Sequence, residues 1–408
     1  MDKFDVLYIH PLGKKPNFDV FLDEKTYFPF IPMGVIGIVN NLKTNGSKVK
    51  GINLALKHLI YGPHFLLEKY LGSIDVNIFL IDIHWYLHIK DGLKVANLCK
   101  KIKPNSKIII GGMSASIFSE QLIRYDSIDF ILKGDSEESC ALLVGLIIKG
   151  NKEFQTIPGL IYKKGKTACK EIININKYDY VDISFLEENK QYIERFNHWL
   201  LIAKGCLYKC ECCDGNCNIY PNIYKRQGLI IRDPNLVVKD IKRLEGKANF
   251  VNFSHDISML GTGFSDILLA NTYKTGMRNE FFQLPSIEII KKLSNSFSVL
   301  DLVFSPISGS YCERKIYGKN FTNYSFFGLL KKIFNLRIKG GVTIYFSDYM
   351  IAPGIREKLN AKAREKMIKK IKKIYPGAII EVQNQIIDPM CLIKEKGFSK
   401  EELFKAFI

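Results

Sequence analysis

Residues 204–213 read Lys204-Gly205-Cys206-Leu207-Tyr208-Lys209-Cys210-Glu211-Cys212-Cys213. The spacing Cys-x3-Cys-x2-Cys puts Cys206, Cys210 and Cys213 on one compact loop. Thiolates suit iron–sulfur clusters, and a [4Fe–4S] cube ordinarily takes four of them. Three ligands leave one iron open to another molecule. Five of the ten cysteines fall between Cys206 and Cys217. The N-terminal stretch MDKFDVLYIHP does not read as a signal peptide, so clustered thiols point to metal rather than disulfides. The rival is zinc held by Cys206, Cys210, Cys213 and Cys217. Structural zinc sites favour paired cysteines from separate segments, and a second pair is missing.

The surroundings of this loop alternate between strand and helix signals. Trp199 to Lys204 reads as a strand running into the loop. Asn249 to Phe253, Val299 to Phe304, Val342 to Phe346 and Ala378 to Val382 follow as strands. Helices are expected at Pro234 to Glu245 with Asp233 as cap, Phe264 to Lys274, Asn323 to Ile338 and Lys358 to Ile374. That order predicts a partial or complete β/α barrel with its site at the C-terminal strand ends. We place the barrel core at 196–345 and its completion with the C-terminal segment at 346–408.

Upstream, residues 1–150 carry five apolar strand signals with helices between them: Phe4 to Ile9, Val49 to Leu54, Val76 to Ile83, Lys107 to Ile110 and Ile128 to Lys133. This predicts a doubly wound parallel sheet, which binds ligands outside the carboxyl ends of its strands. A connector with a short hairpin is expected at 151–195. The fold class is therefore α/β, a doubly wound sheet followed by a barrel.

The cysteine loop after a barrel strand resembles the signature of the radical S-adenosylmethionine (SAM) superfamily. One departure is Cys212, where the family has an aromatic or apolar residue. The resemblance implies that SAM chelates the open iron and is cleaved by one electron to a 5′-deoxyadenosyl radical, the cofactors carrying the hard chemistry. It implies a reducing partner such as flavodoxin or ferredoxin. Asp256, after the second strand, would accept from the SAM amino group, or cap a turn. Ser305, Ser308 and Arg314 lie where the family meets the ribose and carboxylate. Arg314 suits a carboxylate, or a surface salt bridge.

The first 150 residues resemble the cobalamin-binding domain that precedes many radical SAM barrels. Three pieces carry this: Ile83-His84-Trp85-Tyr86, Gly111-Gly112-Met113-Ser114-Ala115-Ser116, and Lys133-Gly134-Asp135-Ser136-Glu137-Glu138. His84, Trp85, Gly111, Gly112, Ser114, Ala115, Gly134, Asp135 and Glu137 are the implied cobalamin contacts. Tyr8-Ile9-His10-Pro11-Leu12-Gly13 stands where many cobalamin domains have Asp-x-His-x-x-Gly. The orienting aspartate is absent, so no histidine lower ligand is expected. A module that has lost cobalamin and only covers the barrel is the alternative.

Together these imply a cobalamin-dependent radical SAM methyltransferase acting on an unactivated carbon. A cyclisation or rearrangement with the same cofactors is the second reading. The net charge of +18, from 59 basic and 41 acidic residues, raises a third, a metal-stabilised RNA-binding module. No aromatic-rich basic motif supports nucleic acid. No apolar run approaches the roughly 20 residues of a spanning helix, so a cytoplasmic location without membrane insertion is expected. The substrate class stays open between a peptide, a small natural-product precursor and a lipid, and no catalytic side chain is singled out.

Overall fold

The structure, a computed structural model, describes residues 3–13, 28–170 and 174–408. The chain forms two compact units. One comprises residues 1–192, 220–226 and 396–408, and the other residues 193–219 and 227–395.

The first unit is built on β1 (Lys3–His10), β2 (Val49–Asn53), β3 (Asp75–Asp82), β4 (Lys107–Gly111) and β5 (Phe130–Leu132), all parallel. The hairpin β6 (Leu160–Tyr162) and β7 (Gly165–Lys166) adds antiparallel at the β5 edge, so the expected connector extends this sheet. The order is β2-β1-β3-β4-β5-β6-β7. Val6, Leu7, Ile9, Ile78, Phe79, Ile81, Ile108 and Ile110 are buried, as in a sheet covered on both faces. The order reverses between β1 and β3, which makes their carboxyl ends the switch point where doubly wound sheets take ligands. Asn53 ends β2 and caps the next helix, accepting from the Leu56 amide at 3.0 Å. That helix, Leu54–Tyr61, is not signalled by the pattern read from the sequence.

The second unit opens with β8 (His198–Leu200). The strand expected at 199–204 is broken after Leu200. The chain leaves the main sheet, and β9 (Ala203–Gly205) pairs antiparallel with β10 (Leu229–Ile231) in a separate ribbon. The main sheet continues with β11 (Phe250–Phe253), β12 (Gly276–Phe281), β13 (Leu300–Ile307) and β14 (Gly340–Ala352), each parallel to its sequence neighbour. A hairpin strand β15 (Ile355–Lys358) pairs antiparallel with β14, and β16 (Ile379–Ile386) pairs with it in parallel. Six parallel strands in sequential order, with helices between most of them, make an open β/α barrel, the partial form of the expectation.

Alternation along these strands sorts the two faces. Met277, Phe281, Leu302, Phe304, Val342 and Ile344 are buried, and Phe304 meets Phe326 of the helix Asn323–Leu336 at 5.7 Å. The other face is polar. Arg278 donates to Asp301 at 2.5 Å and to the Tyr345 hydroxyl at 3.0 Å, and Thr343 donates to Asp301 at 3.1 Å.

Candidate functional site

β9 ends at Gly205, whose φ is +95°. A β-carbon there would lie 2.1 Å from the Gly228 carbonyl oxygen, so only glycine lets the ribbon turn into the cysteine loop. Cys206, Cys210 and Cys213 all lie on this loop, before the helix Tyr220–Tyr224. The Tyr208 amide points at the Cys206 sulfur, 3.4 Å away. Burial raises the Cys206 and Cys210 thiols. Among the described residues no three His, Cys, Asp or Glu side chains are grouped closely enough to hold a metal ion. The loop thus supplies three candidate ligands in one segment rather than a closed cage.

Two sets of contacts fix that loop, and sequence reasoning found neither. The first comes from the end of β11. Ile202 donates to the Ser254 hydroxyl at 3.1 Å. Ser254 lies 2.9 Å from His255 Nδ1, and His255 Nε2 lies 2.7 Å from the Gly205 carbonyl oxygen. A carbonyl only accepts, so Nε2 carries the hydrogen and Nδ1 accepts from Ser254. The second comes from the helix Pro389–Lys396. Asp214 accepts from the Met390 and Cys391 amides at 2.8 and 3.1 Å, while Asp388 accepts from the Asp214 amide at 3.0 Å. Asn216 adds bonds to the Cys210 and Cys213 carbonyls at 2.9 and 2.8 Å. Burial raises both carboxyls, Asp388 to about 6. Each carboxyl holds the other segment's backbone, which no periodicity in the sequence reveals.

The residues assigned to SAM are mostly engaged with their own surroundings. Asp256 is fully buried and caps a short turn, accepting from Ser258 at 2.9 Å and from the Phe282 amide at 2.9 Å. Ser308 is buried too, donating to Glu313 and accepting from the Ser310 amide. Arg314, expected at a carboxylate, is fully buried. It donates to the Ser308 and Phe321 carbonyls at 2.8 and 3.2 Å and to Asn323 at 2.5 Å. Burial lowers its guanidinium to about 10. Ser305 alone stays accessible, donating to Glu280 at 2.5 Å. Arg314→Met should therefore cost about 3 kcal/mol of stability, because two buried carbonyls and the half-buried Asn323 lose their donor. It should leave SAM affinity of the folded protein unchanged, as urea unfolding and equilibrium dialysis would show.

In the first unit the β3 and β4 ends pack on each other. Gly112 has φ +115°, and a β-carbon there would lie 2.6 Å from His84 Cα. Gly111 accepts from the Ile83 amide, Ser114 donates to the His84 carbonyl through amide and hydroxyl, and Ala115 bonds Ile83. Gly134 donates to Ser116 and approaches the backbone of Ile223 and Tyr224. Asp135 pairs with the fully buried Arg226. Glu137 is buried and accepts from Tyr180 at 3.0 Å. These residues also bind the unit to itself.

The switch point is different. Tyr8 donates to Asp82 at 2.7 Å, and His10 Nδ1 lies 2.9 Å from the same carboxylate. His10 Nε2 meets the Phe28 carbonyl at 2.9 Å. His88 is buried, 4.0 Å from Asp82, with neither ring nitrogen in a hydrogen bond of ordinary geometry among the described residues. Burial lowers it to about 3, so it is neutral. His84 and Trp85 are half-exposed beside it, and Trp85 packs on Phe28 at 4.5 Å.

No protein-family model and no curated protein matches the sequence. Solved structures do match in fold. TsrM, a radical SAM methyltransferase from Kitasatospora setae with cobalamin and a [4Fe–4S] cluster bound, is similar with TM-score 0.71 and 14% identity over 97% of this chain and 78% of that one. The same enzyme with tryptophan substrate and the SAM analogue aza-SAM gives 0.67 and 13%, over 92% and 72%. OxsB, a cobalamin-dependent SAM radical enzyme with aqua-cobalamin and SAM bound, gives 0.64 and 15%, over 98% of this chain but only 62% of its own. This chain has the fold of the cobalamin-dependent radical SAM enzymes. In TsrM that fold carries a [4Fe–4S] cluster and cobalamin. The donor set fits the first in its chemistry, since three thiols share one loop and an amide is aimed at one sulfur, although the three side chains are not drawn together. For the second, the fit lies at the β1/β3 switch point. There His84 and Trp85 are accessible and, among the described residues, neither buried nitrogen of His88 makes a hydrogen bond of ordinary geometry, whereas both His10 nitrogens are already used. Among the described residues no helix is long and apolar enough to cross a membrane.

Proposed function

We propose that the chain is a cobalamin-dependent radical SAM enzyme that methylates an unactivated carbon. The observation that carries this reading is the Cys206-Cys210-Cys213 loop at the carboxyl edge of a sequentially ordered parallel sheet. When bound, the cluster and cobalamin would supply reductive cleavage of SAM and carriage of the methyl group, which no side chain here could perform.

The chain's own residues hold and orient. Cys206, Cys210 and Cys213 would ligate the cluster, with His255 and Asp214 fixing the loop from its two sides. Ser305 and Glu280, at the β13 and β12 ends, offer accessible polar atoms toward a bound molecule. The polar sheet face with Arg278, Asp301 and Tyr345 gives a substrate a surface to lie on. His84 and Trp85 would stand at the cobalamin side. A radical removes hydrogen from carbon directly, so no general base is required.

The experiment is anaerobic reconstitution with iron, sulfide and hydroxocobalamin, followed by metal counts and product mass. About four irons and about one cobalt per chain, with a product heavier by one CH2, are expected. Iron and cobalt with a product of unchanged mass would favour a cyclisation or rearrangement. Iron without cobalt would remove the methyltransferase reading.

A further inference from the structure

After the helix Tyr311–Ile316 the chain passes directly over the cysteine loop. Gly318 has φ +75°, and a β-carbon there would lie 3.0 Å from the Cys210 sulfur. Gln283, just past β12, pins this stretch from both sides. Its Nε2 donates to the Gly318 carbonyl at 2.6 Å, and its Oε1 accepts from the Asn320 amide at 3.0 Å. Between the two pinned peptides stands Lys319, only 6% exposed. Its ammonium lies over the Phe282 ring at 5.5 Å. Among the described residues it has no carboxylate partner, and the adjoining Gly318 lies against the Cys210 sulfur.

A lysine held out of water is costly unless an anion meets it. A surface role would let so long a side chain reach solvent, yet this one is fixed by a clamped backbone and an aromatic floor. The anion that the geometry offers is the thiolate-bound group on the loop it covers. We propose that Lys319 is the counter-cation of the cluster held by Cys206, Cys210 and Cys213 and makes that cluster easier to reduce. The inference rests on the cluster of the proposed function. Reduction adds negative charge beside the ammonium, in a medium where charges interact more strongly than in water. The potential of such a cluster follows its net charge, hydrogen bonds and exposure. Gln283 is the positioning residue that keeps the ammonium there.

The test compares reconstituted wild type with Lys319→Met, Lys319→Gln and Lys319→Arg, by iron count and by midpoint potential from an EPR-monitored redox titration without SAM. Lys319→Met and Lys319→Gln are expected to hold the same iron and to shift the midpoint negative, with Lys319→Arg near wild type. Gln283→Ala should shift it in the same direction by less. Loss of the cluster in both neutral variants but not in Lys319→Arg would also support a charge requirement. Equal iron and equal midpoints in all variants would overturn the role of Lys319 while leaving the proposed function intact. A wild type that forms no cluster would remove both.

Discussion

Alanine at Cys206, Cys210 or Cys213 is expected to bring iron after reconstitution from about four per chain to below one, and to abolish SAM cleavage. In the proposed site each of the three would supply one thiolate to the cluster. Cys212 is the nearest alternative in sequence, but it is buried, and the Asp388 amide donates to its carbonyl at 3.2 Å. Cys217 folds back against the loop, its amide donating to the Tyr208 carbonyl at 2.9 Å, but it lies outside the Cys-x3-Cys-x2-Cys spacing. Cys212→Ser and Cys217→Ser should therefore keep iron near the wild-type level. A structural zinc site using Cys217 predicts the opposite for that variant. Iron and zinc counts on the five variants decide between the two, and a cluster that survives loss of Cys206, Cys210 or Cys213 would refute the ligand set.

What could be read in the sequence was whatever repeats or clusters along the chain. The apolar strands of the first sheet, such as Val76 to Ile83, announce themselves because both faces are buried. The cysteine loop does so because its spacing is local. β12 was missed: Arg278, Asn279 and Glu280 interrupt its apolar residues, because Arg278 and Glu280 face the polar side of the sheet and Asn279 bonds the His255 carbonyl. The helix Ile287–Ser296 that follows went with it. The break after Leu200 was missed because Leu201, Ile202 and Ala203 are apolar whether they pair in the main sheet or in the ribbon. Among the site residues, a sequence names a polar side chain at a strand end but not the direction in which it turns. Arg314 and Asp256 turn inward to backbone groups, and Lys319, five residues beyond Arg314, is the cation that faces the cysteines.

The same inward turn governs the second large effect, expected at the switch point. Asp82 is 4% exposed and holds Tyr8 and His10 together. Both nitrogens of His10 face acceptors, Asp82 and the Phe28 carbonyl, so satisfying both requires a hydrogen on each. Burial works to raise the Asp82 carboxyl, but His10 first and then His88 and Tyr8 outweigh it and hold it below the ordinary carboxylate value. Asp82→Ala removes the carboxylate facing that imidazole and leaves the Tyr8 hydroxyl without its acceptor. Breaking a buried pair in this way costs about 3–5 kcal/mol. Urea unfolding followed by Trp85 fluorescence in a Trp199→Phe background reads the first unit directly, since Trp85 packs on Phe28 and His88. The double variant His10→Gln with Asp82→Asn should recover part of the loss, because a neutral pair can bond without a buried charge. The pH dependence has a definite sign. A carboxyl whose folded value is depressed contributes stability that is fully present above its unfolded value, about 3.9, and is lost as pH falls through the lower folded value. Between those two values wild type should lose stability on acidification, while Asp82→Asn should lack that component. Parallel wild-type and Asp82→Asn curves across this acid range would show that Asp82 is not held ionised by His10. The switch point would then be held by packing alone.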